Sequence, residues 1–171
     1  MKVLVTGGCG LVGYHAATYY KSLGHEVDVM DNLERSMLLG HREVTFARAD
    51  FNKNRLKEYG IDAYPFDVSH ANSWDQFDGH DVVIHMAGQC GVPTSIKNPR
   101  RDFEVNTIGT FNGLEYARRH GSKFVLASTN KIYPIHDDPK HPTWIKRDGE
   151  NRWRFLDLRY NNGIKEDANF N

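Results

Sequence analysis

Cysteine is nearly missing. Cys9 and Cys90 are the only two in 171 residues, too few for a disulfide framework, and a chain without one is expected in the reducing cytosol. An excess of either charge is missing as well: 22 basic and 22 acidic residues cancel to a formal net charge of zero. That balance removes the polyelectrolyte argument for nucleic acid or a membrane surface as partner, and the Arg118-Arg119 and Lys146-Arg147 pairs read as solvated faces. Long apolar runs are also absent. Val3-Leu4-Val5 follows a single basic residue, Lys2, and reaches glycine after one threonine, so it reads as a buried strand and as neither signal peptide nor transmembrane span. The histidines at 15, 70, 80, 85 and 120 have no zinc-ligand spacing, so no metal is implied. The length suits one substantial core, with little left for a large second domain.

Glycine, by contrast, is concentrated where it carries meaning. Lys2-Val-Leu-Val-Thr-Gly-Gly-Cys-Gly-Leu-Val-Gly13 runs an apolar strand into Gly7, Gly10 and Gly13, and Asp31 closes the next apolar run 18 residues later. This is the fingerprint of a dinucleotide site at a strand-turn-helix junction. Gly7 permits the tight turn, Gly10 lets the backbone approach a pyrophosphate, and Gly13 lets the helix pack closely on the sheet. Backbone N–H groups of the turn and of the helix N-terminus can bind the pyrophosphate, with Leu11 and Val12 among the candidate contacts. Asp31, followed by Asn32, accepts hydrogen bonds from the adenosine ribose hydroxyls, and an acid there favours NAD over NADP because a 2′-phosphate would meet like charge. Arg35 lies near enough in sequence to offset part of that charge. Cys9 fits the turn as a small residue and needs no reactive role.

The remaining pattern alternates strands and helices, which implies an α/β, Rossmann-type doubly wound, mostly parallel sheet covered on both faces. Strands are expected at 3–6, 26–31, 61–66, 81–87 and 123–128. Helices are expected at 13–23, closed by Gly24, and at 103–120, closed by Gly121, the latter with Val105, Ile108, Phe111, Leu114 and Ala117 on one stripe. Trp74 and Phe77 anchor a short connecting helix. Residues 34–60 read either as a short strand at 44–47 and a short helix at 54–59 or as a long surface crossover. After Tyr133 the prolines at 134, 139 and 142 break the periodicity, so residues 1–133 form the expected cofactor domain and 134–171 an irregular excursion over a site.

Loops at the carboxyl ends of the other strands line the same crevice in such a fold. Asp67 and Val68 are therefore candidates for the adenine end, and Ala87, Gly88 and Gln89 for the dinucleotide backbone. His85 alternates within its strand and reads as core or crevice wall. Ser128 and Thr129 end the last strand. Their hydroxyls either cap a turn or donate to a substrate oxygen as charge develops on it; neither is a base at neutral pH.

Together these residues resemble the extended short-chain dehydrogenase/reductase superfamily, in particular its NAD-dependent nucleotide-sugar epimerases and dehydratases. Thr6-Gly-Gly-Cys-Gly-Leu-Val-Gly13 looks like the family's fingerprint, and Asp31-Asn-Leu-Glu-Arg35 like its segment after the second strand. Asp67-Val68 looks like its adenine contact, His85-Met-Ala-Gly-Gln89 like its fourth-strand motif, and Val105-Asn106 like the asparagine that supports sheet and site. Within the family, Ala87-Gly-Gln89, Thr94-Ser-Ile-Lys-Asn-Pro99, Ser128-Thr-Asn-Lys-Ile-Tyr133 and Asn162-Gly-Ile-Lys-Glu166 look like segments of the branch that epimerises carbon 2 of a CDP-linked sugar.

The resemblance implies a tightly held NAD, a nucleotide-sugar substrate, and Thr129 as the catalytic hydroxyl with Ser128 auxiliary; the 103–120 helix either pairs two copies about a two-fold axis, as in relatives, or turns its apolar stripe to the sheet. Asn130 and Lys131 stand where related dehydratases carry an acidic pair, which argues against dehydration. Pro134 replaces the usual glycine after the tyrosine. The family's base is the tyrosine of a Tyr-x-x-x-Lys motif, and none follows Thr129: Tyr133 has Asp137 at the fourth position, Tyr160 has Ile164, and Lys165 comes one residue late. By resemblance that tyrosine would fall just beyond Asn171, so the chain is expected to be the cofactor-holding half of such an enzyme, without turnover by itself. A non-catalytic NAD-binding module and another epimerase or dehydratase of the family are the alternatives.

Overall fold

The computed structural model describes residues 1–35, 49–129, 145–147 and 153–155. The expected strand at 44–47, Asn130, Lys131, Tyr133, Pro134, Tyr160 and Lys165 lie outside them. The chain forms two compact units, residues 1–127 and 128–171.

The first unit is built on five strands: β1 (Lys2–Thr6), β2 (Glu26–Met30), β3 (Asp62–Tyr64), β4 (Val82–His85) and β5 (Lys123–Leu126). All pair in parallel, in the order β3-β2-β1-β4-β5. Val3, Leu4, Val5 and Thr6 are fully buried, as expected for the central strand of a sheet covered on both faces. Alternation along the strand then sorts the core. Val3 and Val5 join Tyr14, Ala17, Val29, Leu56 and Ile61 on one face, under α1 (Leu11–Ser22) and α2 (Ala49–Glu58). Leu4 joins Trp74, Val83, Val105 and Tyr116 on the other, beneath α3 (Ala71–Trp74) and the later helices.

Strand order reverses at β1: the chain moves outward through β2 and β3, then returns to place β4 on the opposite side. Thr6 lies level with Met30 on one neighbour and His85 on the other, so the loops after β1, β2 and β4 open at one end of the sheet. That is the topological switch point at which open α/β sheets bind ligands.

The expected 103–120 helix begins earlier and is not uniform. After α4 (Val92–Lys97), Asn98 caps α5 (Pro99–Phe103) by accepting the Arg101 N–H at 3.2 Å. A π-helical turn, Glu104–Ile108, then leads into α6 (Gly109–His120). The expected apolar stripe is corrected accordingly. Val105 and Ala117 are buried, but Ile108, Phe111 and Leu114 are 36%, 59% and 48% exposed. The wider turn rotates the residues C-terminal to it, and the buried face becomes Gly109, Gly113, Tyr116 and Ala117. Its glycines admit Val68 and Trp74: a Cβ on Gly109 would lie 2.6 Å from the Val68 side chain, and one on Gly113 2.8 Å from Trp74.

Further boundaries differ: α1 occupies residues 11–22 in place of 13–23, and β4 82–85 in place of 81–87. α2 occupies residues 49–58 in place of 54–59, β3 is confined to 62–64, and β5 ends at Leu126. Residues 134–171, expected to be irregular, include the antiparallel pair β6 (Ile145–Arg147) and β7 (Trp153–Phe155), with Lys146 opposite Arg154. No helix among the described residues is long and apolar enough to cross a membrane.

Candidate functional site

The glycine turn is shaped by contacts that only glycine tolerates. Gly7 has φ +66°, and a Cβ there would sit 2.6 Å from the Ala87 nitrogen, so the turn leaves β1 pressed against the loop after β4. A Cβ on Gly13 would lie 2.2 Å from the Gly7 carbonyl oxygen, so α1 starts directly on the turn. Gly10 differs from both. It caps α1 with extended backbone, and a Cβ on it would meet only the Gly7 oxygen, at 3.1 Å. Its outer side is open.

No side chain caps α1, and among the described residues no acceptor meets the N–H of Leu11 or Val12. These orphan donors, at the positive end of a 12-residue helix, fit an anionic group above Gly10. Leu11 and Val12 are 64% and 63% exposed, so neither is held by the core. Gly8, absent from the sequence-level candidates, presses on Val29: a Cβ there would come within 2.5 Å of it.

Asp31 lies beside this turn. Its Oδ2 accepts the Cys9 N–H at 2.9 Å and its Oδ1 the Leu33 N–H at 2.8 Å. Burial raises its pKa, against the pull of those two hydrogen bonds. Among the described residues these are its hydrogen bonds, and each oxygen then keeps a lone pair for a further donor. Cys9 is fully buried, and burial together with the nearby Asp31 carboxylate pushes its thiol up to about 12, which makes it an inert packing residue. The exposed Arg35 reaches across to the Cys90 sulfur, Nη1 to Sγ 3.6 Å.

The two loops on the β2-β3 side are tied together. Asn32 donates from Nδ2 to Asp67 Oδ2 at 2.9 Å and to Glu34 Oε2 at 3.2 Å. Asp67 Oδ1 accepts both the N–H and the hydroxyl of Ser69, at 2.8 and 2.7 Å. Arg101 donates from Nη2 to both Glu34 and Asp67. Burial opposes the Asp67 charge, but the bonds from Ser69 and Arg101 outweigh it and hold the carboxyl at about 2. Val68 is 6% exposed, and its carbonyl accepts from Trp74 Nε1 at 2.9 Å and Asn112 Nδ2 at 3.1 Å. Its side chain belongs to the core.

On the β4 side, Ala87, Gly88 and Gln89 run beside Asn106, which the π turn carries. The Ala87 N–H reaches Thr6 Oγ1 at 3.3 Å, and a Cβ on Gly88 would lie 3.3 Å from Asn106 Oδ1. His85 belongs to the core. It is 1% exposed, with Nδ1 2.8 Å from Thr6 Oγ1 and Nε2 3.3 Å from Thr110 Oγ1, and burial lowers its pKa to about 4. Ser128 and Thr129 come next in sequence as the first two residues of the second unit.

The fold therefore gathers Gly7, Gly10, Leu11, Val12, Gly13, Asp31, Asn32, Asp67, Ala87, Gly88, Gln89 and Asn106 at one end of the sheet. Glu34, Ser69 and Arg101 were not among the sequence-level candidates. Arg101 is 67 residues from Glu34 and 34 from Asp67, and no local pattern marks such a partner.

Residues 3–151 match the NAD dependent epimerase/dehydratase family. The chain belongs to this family. It is 36% identical over 145 residues to CDP-paratose 2-epimerase from Salmonella typhi, a match covering 78% of this chain and 38% of that protein. It is 32% identical over 151 residues to UDP-glucose 4-epimerase from Lacticaseibacillus casei, covering 84% and 42%. Among solved structures it is similar to the UDP-glucose 4-epimerase of Thermus thermophilus in complex with NAD, with 34% identity, a TM-score of 0.57, and 75% of this chain and 38% of that one covered. The match thus spans about two fifths of the length of these epimerases. CDP-sugar and UDP-sugar epimerases stand at similar identity, so the comparison fixes the epimerase/dehydratase family and leaves the sugar nucleotide undivided.

Proposed function

We propose that this chain binds NAD in the crevice between the loops after β1, β2 and β4, as the cofactor-holding part of a nucleotide-sugar epimerase. The carrying observation is the open side of Gly10 beneath the orphan N–H groups of Leu11 and Val12, with Asp31 one strand away. The T. thermophilus epimerase solved with NAD supports the same assignment. The turn holds the pyrophosphate, Asp31 and Asn32 the adenosine ribose, the Asp67 loop the adenine, and Ala87-Gly-Gln89, braced by Asn106, the dinucleotide backbone.

The substrate is a CDP-linked sugar, and the reaction is inversion at carbon 2. The likeness to CDP-paratose 2-epimerase supports this choice. Bound NAD would supply reversible hydride exchange with the sugar carbon, so no external redox partner would be consumed. Thr129, with Ser128 beside it, donates to the substrate oxygen on which charge develops. A hydroxyl alone does not remove the alcohol proton, and no Tyr-x-x-x-Lys follows Thr129 in these 171 residues. The isolated chain therefore binds NAD without turning over. A second copy pairs along α5 and α6, a reading supported by the exposure of Phe103, Ile108, Phe111 and Leu114, because an apolar helix face can match itself about a two-fold axis.

Calorimetric titration of the folded chain tests the cofactor assignment. NAD is expected to bind more tightly than NADP; equal affinities, or a preference for NADP, overturn the role given to Asp31.

A further inference from the structure

Arg101 stands between two loops of the crevice and touches the acid of each. Its Nε donates to Glu34 at 3.0 and 3.2 Å, Nη1 to Ser69 Oγ at 3.1 Å, and Nη2 to both Glu34 and Asp67. The guanidinium side chain is 20% exposed, and those of Glu34 and Asp67 are 31% and 15%. It therefore lies partly within the protein, with its charge shared by two carboxylates.

The acceptor count at Asp67 gives this contact a consequence. A carboxylate offers about four lone-pair sites. Two are used by the N–H and hydroxyl of Ser69, a third by Asn32 Nδ2, and the fourth by Arg101 Nη2. A purine amino group arriving at Asp67 finds no free acceptor. The Ser69 N–H is fixed by its turn, the Ser69 hydroxyl is held between Asp67 and Arg101 Nη1, and Asn32 is anchored by the Glu34 N–H that its Oδ1 accepts. Arg101 is the donor that can leave cheaply, because Glu34 already holds it at Nε and Nη2 and stabilises the guanidinium after its release from Asp67.

We propose that Arg101 is a competitive latch on the adenine end of the site: its guanidinium and the adenine 6-amino group exchange on Asp67, and Glu34 is the perch on which the displaced arginine rests. This rests on the reading that the adenine lies at the Asp67 loop. The latch lowers affinity for adenine nucleotides without touching the pyrophosphate or the nicotinamide.

The experiment is calorimetry with ADP and with nicotinamide mononucleotide on the full chain and on Arg101→Met, Arg101→Gln and Glu34→Gln, each checked for folding by thermal melt. Removing the latch is expected to tighten ADP binding roughly fivefold, the size of a partly exposed ion pair, and to leave nicotinamide mononucleotide unchanged. Glu34→Gln removes the perch and is expected to weaken ADP binding, with the loss abolished when Arg101→Met is added. ADP binding that both Arg101 variants leave unchanged or weaken overturns the latch while the dinucleotide reading stands. Failure of every folded protein, the unaltered chain included, to bind ADP or NAD overturns both.

Discussion

The side-chain amide of Asn106 grips the backbone of Gln89 from both sides: Oδ1 accepts the Gln89 N–H at 2.8 Å and Nδ2 donates to its carbonyl at 3.1 Å. One side chain thus fixes the loop after β4, and it does so from the only π-helical turn among the described residues. Asn106→Asp keeps the acceptor and turns the donor into a second acceptor facing the Gln89 carbonyl. The expected cost is about 1–2 kcal/mol in urea denaturation, with weaker NAD binding in calorimetry. Full NAD affinity in that variant would remove Asn106 from the site.

Gly13 is expected to be intolerant for a different reason. The Cβ of alanine would lie 2.2 Å from the Gly7 carbonyl oxygen, which belongs to backbone and yields only if the turn moves. Gly13→Ala should lower stability by ~1–3 kcal/mol, the usual range for overpacking, although alanine is the better helix former. A melting temperature equal to that of the unaltered chain would contradict this packing.

The two cysteines should separate cleanly in thiol labelling. Cys90 is exposed, whereas Cys9 is fully buried with its thiol pushed up to about 12. One equivalent of a maleimide is expected to react with the folded chain at neutral pH, at Cys90, and the second only after denaturation. Prompt labelling of Cys9 in the folded chain would contradict the closed turn.

Acid should weaken the fold through His85. Its pKa falls from 6.5 to about 4 on folding, so between those values the unfolded chain binds the proton more readily than the folded one. The stabilisation is complete above pH 6.5 and is lost as pH falls toward 4, on the order of 3 kcal/mol in all. Asp31, whose pKa is raised mainly by burial, acts with the opposite sign in acid, so the comparison that isolates His85 is with His85→Gln. Its denaturation midpoint should change less between pH 7 and pH 4.5. Equal slopes would show that His85 is not the titrating group.

Turnover gives a further expectation. On the proposed reading, the purified chain supplied with NAD and CDP-tyvelose should show no C2 epimerisation by NMR, because no Tyr-x-x-x-Lys follows Thr129 in these 171 residues. Clear turnover would mean that another side chain of this unit removes the proton.

The features legible in the sequence are those whose cause is local. An apolar strand, a turn that needs glycine and a following helix are encoded within a dozen residues, and the acid at Asp31 is placed by the end of the next strand; the parallel sheet comes from that alternation. The helix over 103–120 was legible as a helix but not in its face. The π turn at Glu104–Ile108 rotates the later residues, and the buried positions are glycines that a hydrophobic stripe does not reveal. Arg101 was not legible at all, since its partners lie on two loops distant from it in sequence, after β2 and after β3. The roles expected of Ser128 and Thr129 rest on the family resemblance and not on a local pattern.

Gly10 gives the sharpest separation of binding from stability. Its backbone is extended at φ −73°, and a Cβ would press on the Gly7 oxygen at 3.1 Å, against 2.2 Å for one on Gly13, so Gly10→Ala should lose less stability than Gly13→Ala and remain folded. The same methyl would stand where the pyrophosphate approaches the turn. Calorimetric titration of NAD into both proteins is expected to show binding to the unaltered chain and at least a roughly tenfold loss in the variant, about 1.4 kcal/mol. Equal NAD affinity in the two folded proteins, or no NAD binding by the unaltered chain, would contradict the assignment of this turn as the dinucleotide site.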